Sequence, residues 1–124
     1  MRIFLDDNPR RTKAIKNRID VIDVETATEC INTISHMIDR DTVIQTLFLD
    51  HDLGGQHFQD SSEQNCGMEV VRWLEAHFIE AYIEQIIVHS HNIKAAEIMV
   101  DKLAQVGYNV MYVPFRILEN ITKD

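Results

Sequence analysis

Short apolar runs alternate along this chain with longer stretches in which apolar residues recur every three or four positions. The short runs read as strands and the longer stretches as helices with one buried face. Residues 1–5 form a first strand. Pro9 opens a basic helix to about residue 18, since proline suits a first helical turn. Residues 19–24 are a second short strand. Thr26 followed by Glu29 has the form of a capping box. Ala27, Ile31, Ile34 and Ile38 then follow at helical spacing. Residues 43–49 make a third strand. Its second half is nearly all apolar, as expected of a central strand covered on both faces.

A polar loop spans residues 53–65. Gly67, Val71, Leu74 and Phe78 mark a helix face reaching about residue 82. Residues 85–88 form a fourth strand. Asn92 caps the next helix, whose inner face is Ala95, Met99, Leu103 and Val106, and Gly107 stops it. Residues 108–113 are a fifth strand, and one short last helix turns Ile117, Leu118 and Ile121 inward. Strict alternation with right-handed crossovers predicts an α/β fold, a three-layer αβα sandwich on a five-stranded parallel sheet. The flavodoxin-like order 2-1-3-4-5 places the functional site at the switch point between the first and third strands.

The composition fits that reading. A chain of 124 residues at 45% hydrophobic suits a single domain over 1–124 with a proper core. A net charge of -8 argues against a long nucleic-acid duplex as partner. Cys30 and Cys66 fit no metal spacing and are expected as buried, reduced thiols. Arg2, Asp6 and Asp7 interrupt any leader-like apolar stretch, and no run approaches the ~20 residues of a membrane span. The expectation is a soluble, cytoplasmic protein of a bacterium or of a phage-infected one.

Three of the predicted strands end in polar clusters. Asp6 and Asp7 follow the first, Asp50, His51 and Asp52 the third, and His89, Ser90, His91 and Asn92 the fourth. Parallel strands end on one edge, so these clusters are candidates for one site. Asp6 and Asp7 with Asp50 or Asp52 suit a hard divalent cation, Mg²⁺ by preference. Residual strand geometry would put Asp50 and Asp52 on one side and His51 on the other. His51 and His89 close adjacent strands, which allows an acid–base pair. Ser90 and Asn92 can orient a phosphate beside free helix N–H groups. Arg10 and Arg11 lie in the first turn of the first helix; a guanidinium there can clamp a phosphate, and Arg10 takes that role. The loop with Gly54 and Gly55 can close over a ligand. His91 is less central, and His36, His57 and His77 read as surface or loop residues.

At these residues the chain resembles a response-regulator receiver domain over nearly its whole length. Phe4-Leu5-Asp6-Asp7 resembles the receiver acidic pair, Leu47-Phe48-Leu49-Asp50 the phosphoacceptor strand, and Val88-His89-Ser90 the fourth strand with its terminal Ser/Thr. Gly67 resembles the glycine that opens the next helix, and Val113-Pro114-Phe115 the Lys-Pro-Phe segment, with valine in place of the lysine. The segment between Asp50 and Gly67 is longer than receivers usually carry. A closer resemblance is to the cyclic-phosphate-processing receiver-like domains. It rests on the acidic pair followed by arginine, on Leu49-Asp50-His51-Asp52-Leu53-Gly54, and on His89-Ser90-His91-Asn92. The family's Asp-His-Asp and His-Ser-x-Asn positions carry over directly; its arginine is matched by Arg10, after Asn8 and Pro9.

The resemblance implies hydrolysis of a cyclic phosphate on a nucleotide or an RNA end. The first expectation is therefore a small phosphoesterase. Its catalytic groups are His51, His89, Asp50 and Asp52, and its cation ligands Asp6, Asp7, Asp50 and Asp52. Ser90, Asn92 and Arg10 hold the substrate. The second is a non-catalytic binding module that docks a partner or sequesters a cyclic nucleotide. The third, a receiver phosphorylated on Asp50, is disfavoured by Val113 and by the added His51, Asp52 and His89.

Overall fold

The computed structural model describes residues 1–53 and 65–120. Five strands alternate with helices: β1 (Arg2–Leu5), α1 (Pro9–Lys16), β2 (Ile22–Val24), α2 (Ala27–Asp39), β3 (Thr46–Leu49), α3 (Gly67–Ala76), β4 (Ile86–Val88), α4 (Ile93–Val106), β5 (Val110–Tyr112) and α5 (Phe115–Leu118). Every strand pair is parallel, in the order β2-β1-β3-β4-β5. This is the predicted α/β fold and strand order.

Side-chain alternation divides the core in two. Ile3, Leu5, Leu47, Leu49, Ile86 and Val88 face α2, α3 and α4, within the larger apolar cluster. Phe4, Phe48 and Ile87 point the other way, against Ile15 and Ile19 near α1 and Phe115 and Leu118 of α5. All four β3 residues are buried, as a central strand requires.

The caps follow the sequence signals. The Thr26 side chain accepts the Glu29 N–H at 3.1 Å, and the Asn92 side chain accepts the Ala95 N–H at 3.2 Å. Gly107 ends α4 at φ 108°, a left-handed conformation that favours glycine. Two expectations about helix faces are corrected. α3 stops at Ala76 because His77 is already extended, so Phe78 leaves the inner face and is 73% exposed; residues 80–82 form a separate 3₁₀ turn. In α5, Phe115 and Leu118 are the buried pair while Ile117 is exposed. The strand edges are also shorter than predicted, with β2 starting at Ile22 and β3 at Thr46. Ile121, His57 and the glycine pair of the long loop lie outside the described residues.

Candidate functional site

The sheet register builds the site. Leu5 pairs with Leu49, and Leu49 with Val88. The next residue on each strand continues the ladder: Asp50 N–H donates to Leu5 C=O at 3.1 Å, and His89 N–H to Leu49 C=O at 3.0 Å. Asp6, Asp50 and His89 therefore form one row across three neighbouring strands. One residue beyond Leu5, Leu49 and Val88, they turn to the opposite face, which carries Phe4 and Phe48. All three are buried.

Within the row, His89 Nε2 lies 3.0 Å from Asp6 Oδ2. The imidazole stacks on Phe4, with centroids 4.8 Å apart and planes at 9°, and Phe115 tilts over it at 6.1 Å. His89 Nδ1 is buried and has no hydrogen-bond partner among the described residues. The other Asp6 oxygen accepts the Asn8 N–H at 2.9 Å. Arg11 reaches in from α1, with Nη1 3.4 Å from Asp6 Oδ2 and 3.8 Å from Asp50 Oδ2. Its guanidinium carbon lies 5.4 Å from the Phe115 ring centre, within cation–π range.

The two carboxyls respond to burial differently. Burial alone would push Asp6 up. His89, by hydrogen bond and by charge, the Asn8 N–H and Arg11 outweigh it and hold Asp6 below the ordinary carboxylate value. Burial pushes Asp50 up to about 6, with the Asp6 charge adding to the effect; His89, Arg11 and the His51 N–H oppose it only in part. Asp6, Asp50 and His89 each offer one ligand atom, and these atoms lie within 4.8 Å of one another. Two hard carboxylates and an imidazole at this spacing can hold a divalent metal ion. Asp7, half-buried, and Asp52 were predicted as ligands too but stand outside this group, and His89 enters it instead.

The rest of the predicted set gathers around α3 and α4. His51 is buried, with Nδ1 2.8 Å from Asp52 Oδ1 and a further hydrogen bond to the Cys66 thiol. Burial opposes a charge on His51, but the thiol and Asp52 outweigh it and its pKa rises. Burial likewise works against a Cys66 thiolate. His51 and the N–H groups of Met68 and Glu69 overcome that and lower it. Asp52 also faces Asn92, at 3.5 Å. Gly67 makes this corner possible. Its N–H donates to the His51 carbonyl at 2.7 Å, and a Cβ there would overlap the Asp50 carbonyl oxygen.

Ser90 is buried, and its Oγ accepts the Asn92 N–H at 3.1 Å. Both predicted phosphate ligands of this segment are thus engaged in local capping. Arg10 stays out of the carboxylate cluster. It lines a cleft of about 370 Å³ with Asn8, Arg11, Ala14, Phe115 and Glu119. Two residues with site contacts were given no role in the sequence reading. Arg11 lies one helical turn before the buried Ile15, which was the signal that it faces inward. Cys66 immediately precedes Gly67 at the start of α3.

Residues 1–105 match the family model of the cyclic-phosphate processing receiver domain. No curated protein and no solved structure matches the chain.

Proposed function

The chain belongs to the cyclic-phosphate processing receiver family, and on that footing we propose that it hydrolyses a cyclic phosphate ester of a nucleotide or an RNA end. The observation that carries this reading is the Asp6–Asp50–His89 row with Arg11 laid across its carboxylates. Asp6, Asp50 and His89 would hold a divalent cation, Mg²⁺ by preference. Such a cation neutralises phosphate charge and stabilises the leaving oxygen. Arg11 and Arg10, both lining the adjacent cleft, bind and orient the phosphate. Asp52 is partly open to solvent and braced by His51 and Asn92, so it takes the proton of the attacking water.

In this reading the two histidines do different work. His89 belongs to the cation centre, and His51 acts behind Asp52. The test is a panel of cyclic mononucleotides, cyclic dinucleotides and cyclic-phosphate-ended RNA, each incubated with Mg²⁺ and with EDTA. The reading expects ring opening of at least one of them with Mg²⁺ and none with EDTA. Intact substrate throughout the panel would refute hydrolysis.

One observation favours the rival binding module: His51, His89 and Ser90 are all fully buried, which leaves few proton-transfer groups open to a ligand. A cyclic nucleotide retained by the protein and released unchanged would select that reading.

A further inference from the structure

Cys66 has no part in the reaction proposed above, yet it sits one hydrogen bond behind the acidic rim. Its thiol meets the His51 imidazole, whose Nδ1 lies 2.8 Å from Asp52 Oδ1. Asn92 Nδ2 approaches the same oxygen at 3.5 Å. Cys66 and His51 are both 0% exposed, whereas the Asp52 side chain is 14% exposed. The row runs outward from the interior and ends on a carboxylate that a ligand can touch.

The hydrogen bonds also give the row a direction. The backbone N–H groups of Met68 and Glu69 bond the Cys66 sulfur. With its lone pairs so engaged, the sulfur is left to donate its S–H. Nδ1 of His51 faces Asp52, so the thiol uses the remaining nitrogen, Nε2. An imidazole that accepts at Nε2 carries its proton on Nδ1, and that N–H points at Asp52. Transfer of the proton from sulfur to Nε2 would leave Nδ1 a donor as before.

We propose that Cys66 is a positioning residue: by donating to His51 it fixes the Nδ1–H tautomer, and through that tautomer it holds the Asp52 carboxylate in a single orientation. The consequence for turnover rests on Asp52 being the base in the proposed reaction; the tautomer does not. Backbone contacts already clamp these segments, through the Asp52–Cys66 bridge and the Gly67 N–H to His51 carbonyl bond. The sulfur must therefore be tested apart from the backbone.

Cys66→Val does this. Valine is close in size to cysteine, suits the extended backbone at φ -143°, ψ 166° and cannot donate. Cys66→Ser keeps a donor. Long-range ¹H–¹⁵N correlation of the His51 ring reads the tautomer directly. The wild type and Cys66→Ser are expected to show Nδ1–H alone, and Cys66→Val a mixture. Where a cyclic phosphate is turned over, kcat of Cys66→Val should fall about tenfold, below the usual worth of a general base, with KM little changed. Cys66→Ser should restore it.

A Cys66→Val protein with an undisturbed Nδ1–H tautomer overturns the proposal. So does a wild type that carries the proton on Nε2, which decides the matter even if Cys66→Val fails to fold. If no substrate is hydrolysed by any variant, the proposed reaction fails while the nitrogen spectra still judge Cys66.

Discussion

His89 and Asp6, 83 positions apart in sequence, meet at 3.0 Å between Nε2 and Oδ2. The contact follows from topology. β1 and β4 both flank β3, and the register brings their first residues past the strand ends into one row with Asp50. The contact is enclosed by Phe4 and Phe115, so its electrostatics act with little screening by water.

Asp50 sets a pH dependence of stability. Its carboxyl is raised from 3.8 to about 6 by burial first and the Asp6 charge second. Between those values the folded protein keeps a proton that the unfolded chain releases. The Asp50 contribution is therefore largest on the acid side and is lost as pH rises through about 4 to 6. Asp6 is shifted downward and acts oppositely: its contribution holds above the ordinary value and is lost as pH falls through its lowered folded one. Urea unfolding in EDTA should find Asp50→Asn more stable than wild type at pH 7.5, by about 1–3 kcal/mol. The gain should shrink by pH 4.5. A loss of stability at pH 7.5 would contradict the raised carboxyl.

Gly67 is the tightest backbone position described near the site. Any Cβ there meets the Asp50 carbonyl and the His51 backbone, both fixed by the sheet edge and the start of α3. Gly67→Ala should destabilise by at least ~2 kcal/mol, since overpacking here cannot be relieved by a side-chain rotation. Chemical denaturation measures it, and a change under ~0.5 kcal/mol, the range of ordinary surface substitutions, would count against this geometry.

Arg11 and Arg10 are adjacent in sequence and unequal in position. Arg11 bridges Asp6 and Asp50, while Arg10 only lines the cleft. For whichever cyclic phosphate is opened, Arg11→Gln should lower kcat/KM by about 10- to 100-fold, the worth of a charge-assisted hydrogen bond. Arg10→Gln should cost less than about tenfold, as an exposed charge does. The reverse order would move the phosphate to the outer part of the cleft.

The fold was legible because each apolar run ends where its strand ends, and because helical spacing separates α2 and α4 cleanly from the strands. Phe78 misled because it continues the period of Leu74 beyond a helix that has already stopped at Ala76. Ile117 misled because a four-residue α5 offers too little pattern to tell its faces apart. At the site, Asp6, Asp50 and His89 could be picked from their places at strand ends. Sequence could not show that His89 turns with Asp6 and Asp50 while His51 turns toward Cys66; that depends on which face each residue takes after the strand. Arg10 looked as suitable as Arg11 because both lie in one helical turn. Cys66 was passed over because a buried thiol usually marks core rather than chemistry.

The central claim is that Asp6, Asp50 and His89 together form a cation centre. Pulsed electron paramagnetic resonance with Mn²⁺ in place of Mg²⁺ tests it most directly, because a bound imidazole nitrogen leaves its own coupling in the spectrum. The account predicts one tightly bound Mn²⁺ with a nitrogen coupling that disappears in His89→Ala, and loss of tight binding in Asp6→Asn. Mn²⁺ that does not bind, or that binds with no nitrogen coupling in the wild type, would contradict it.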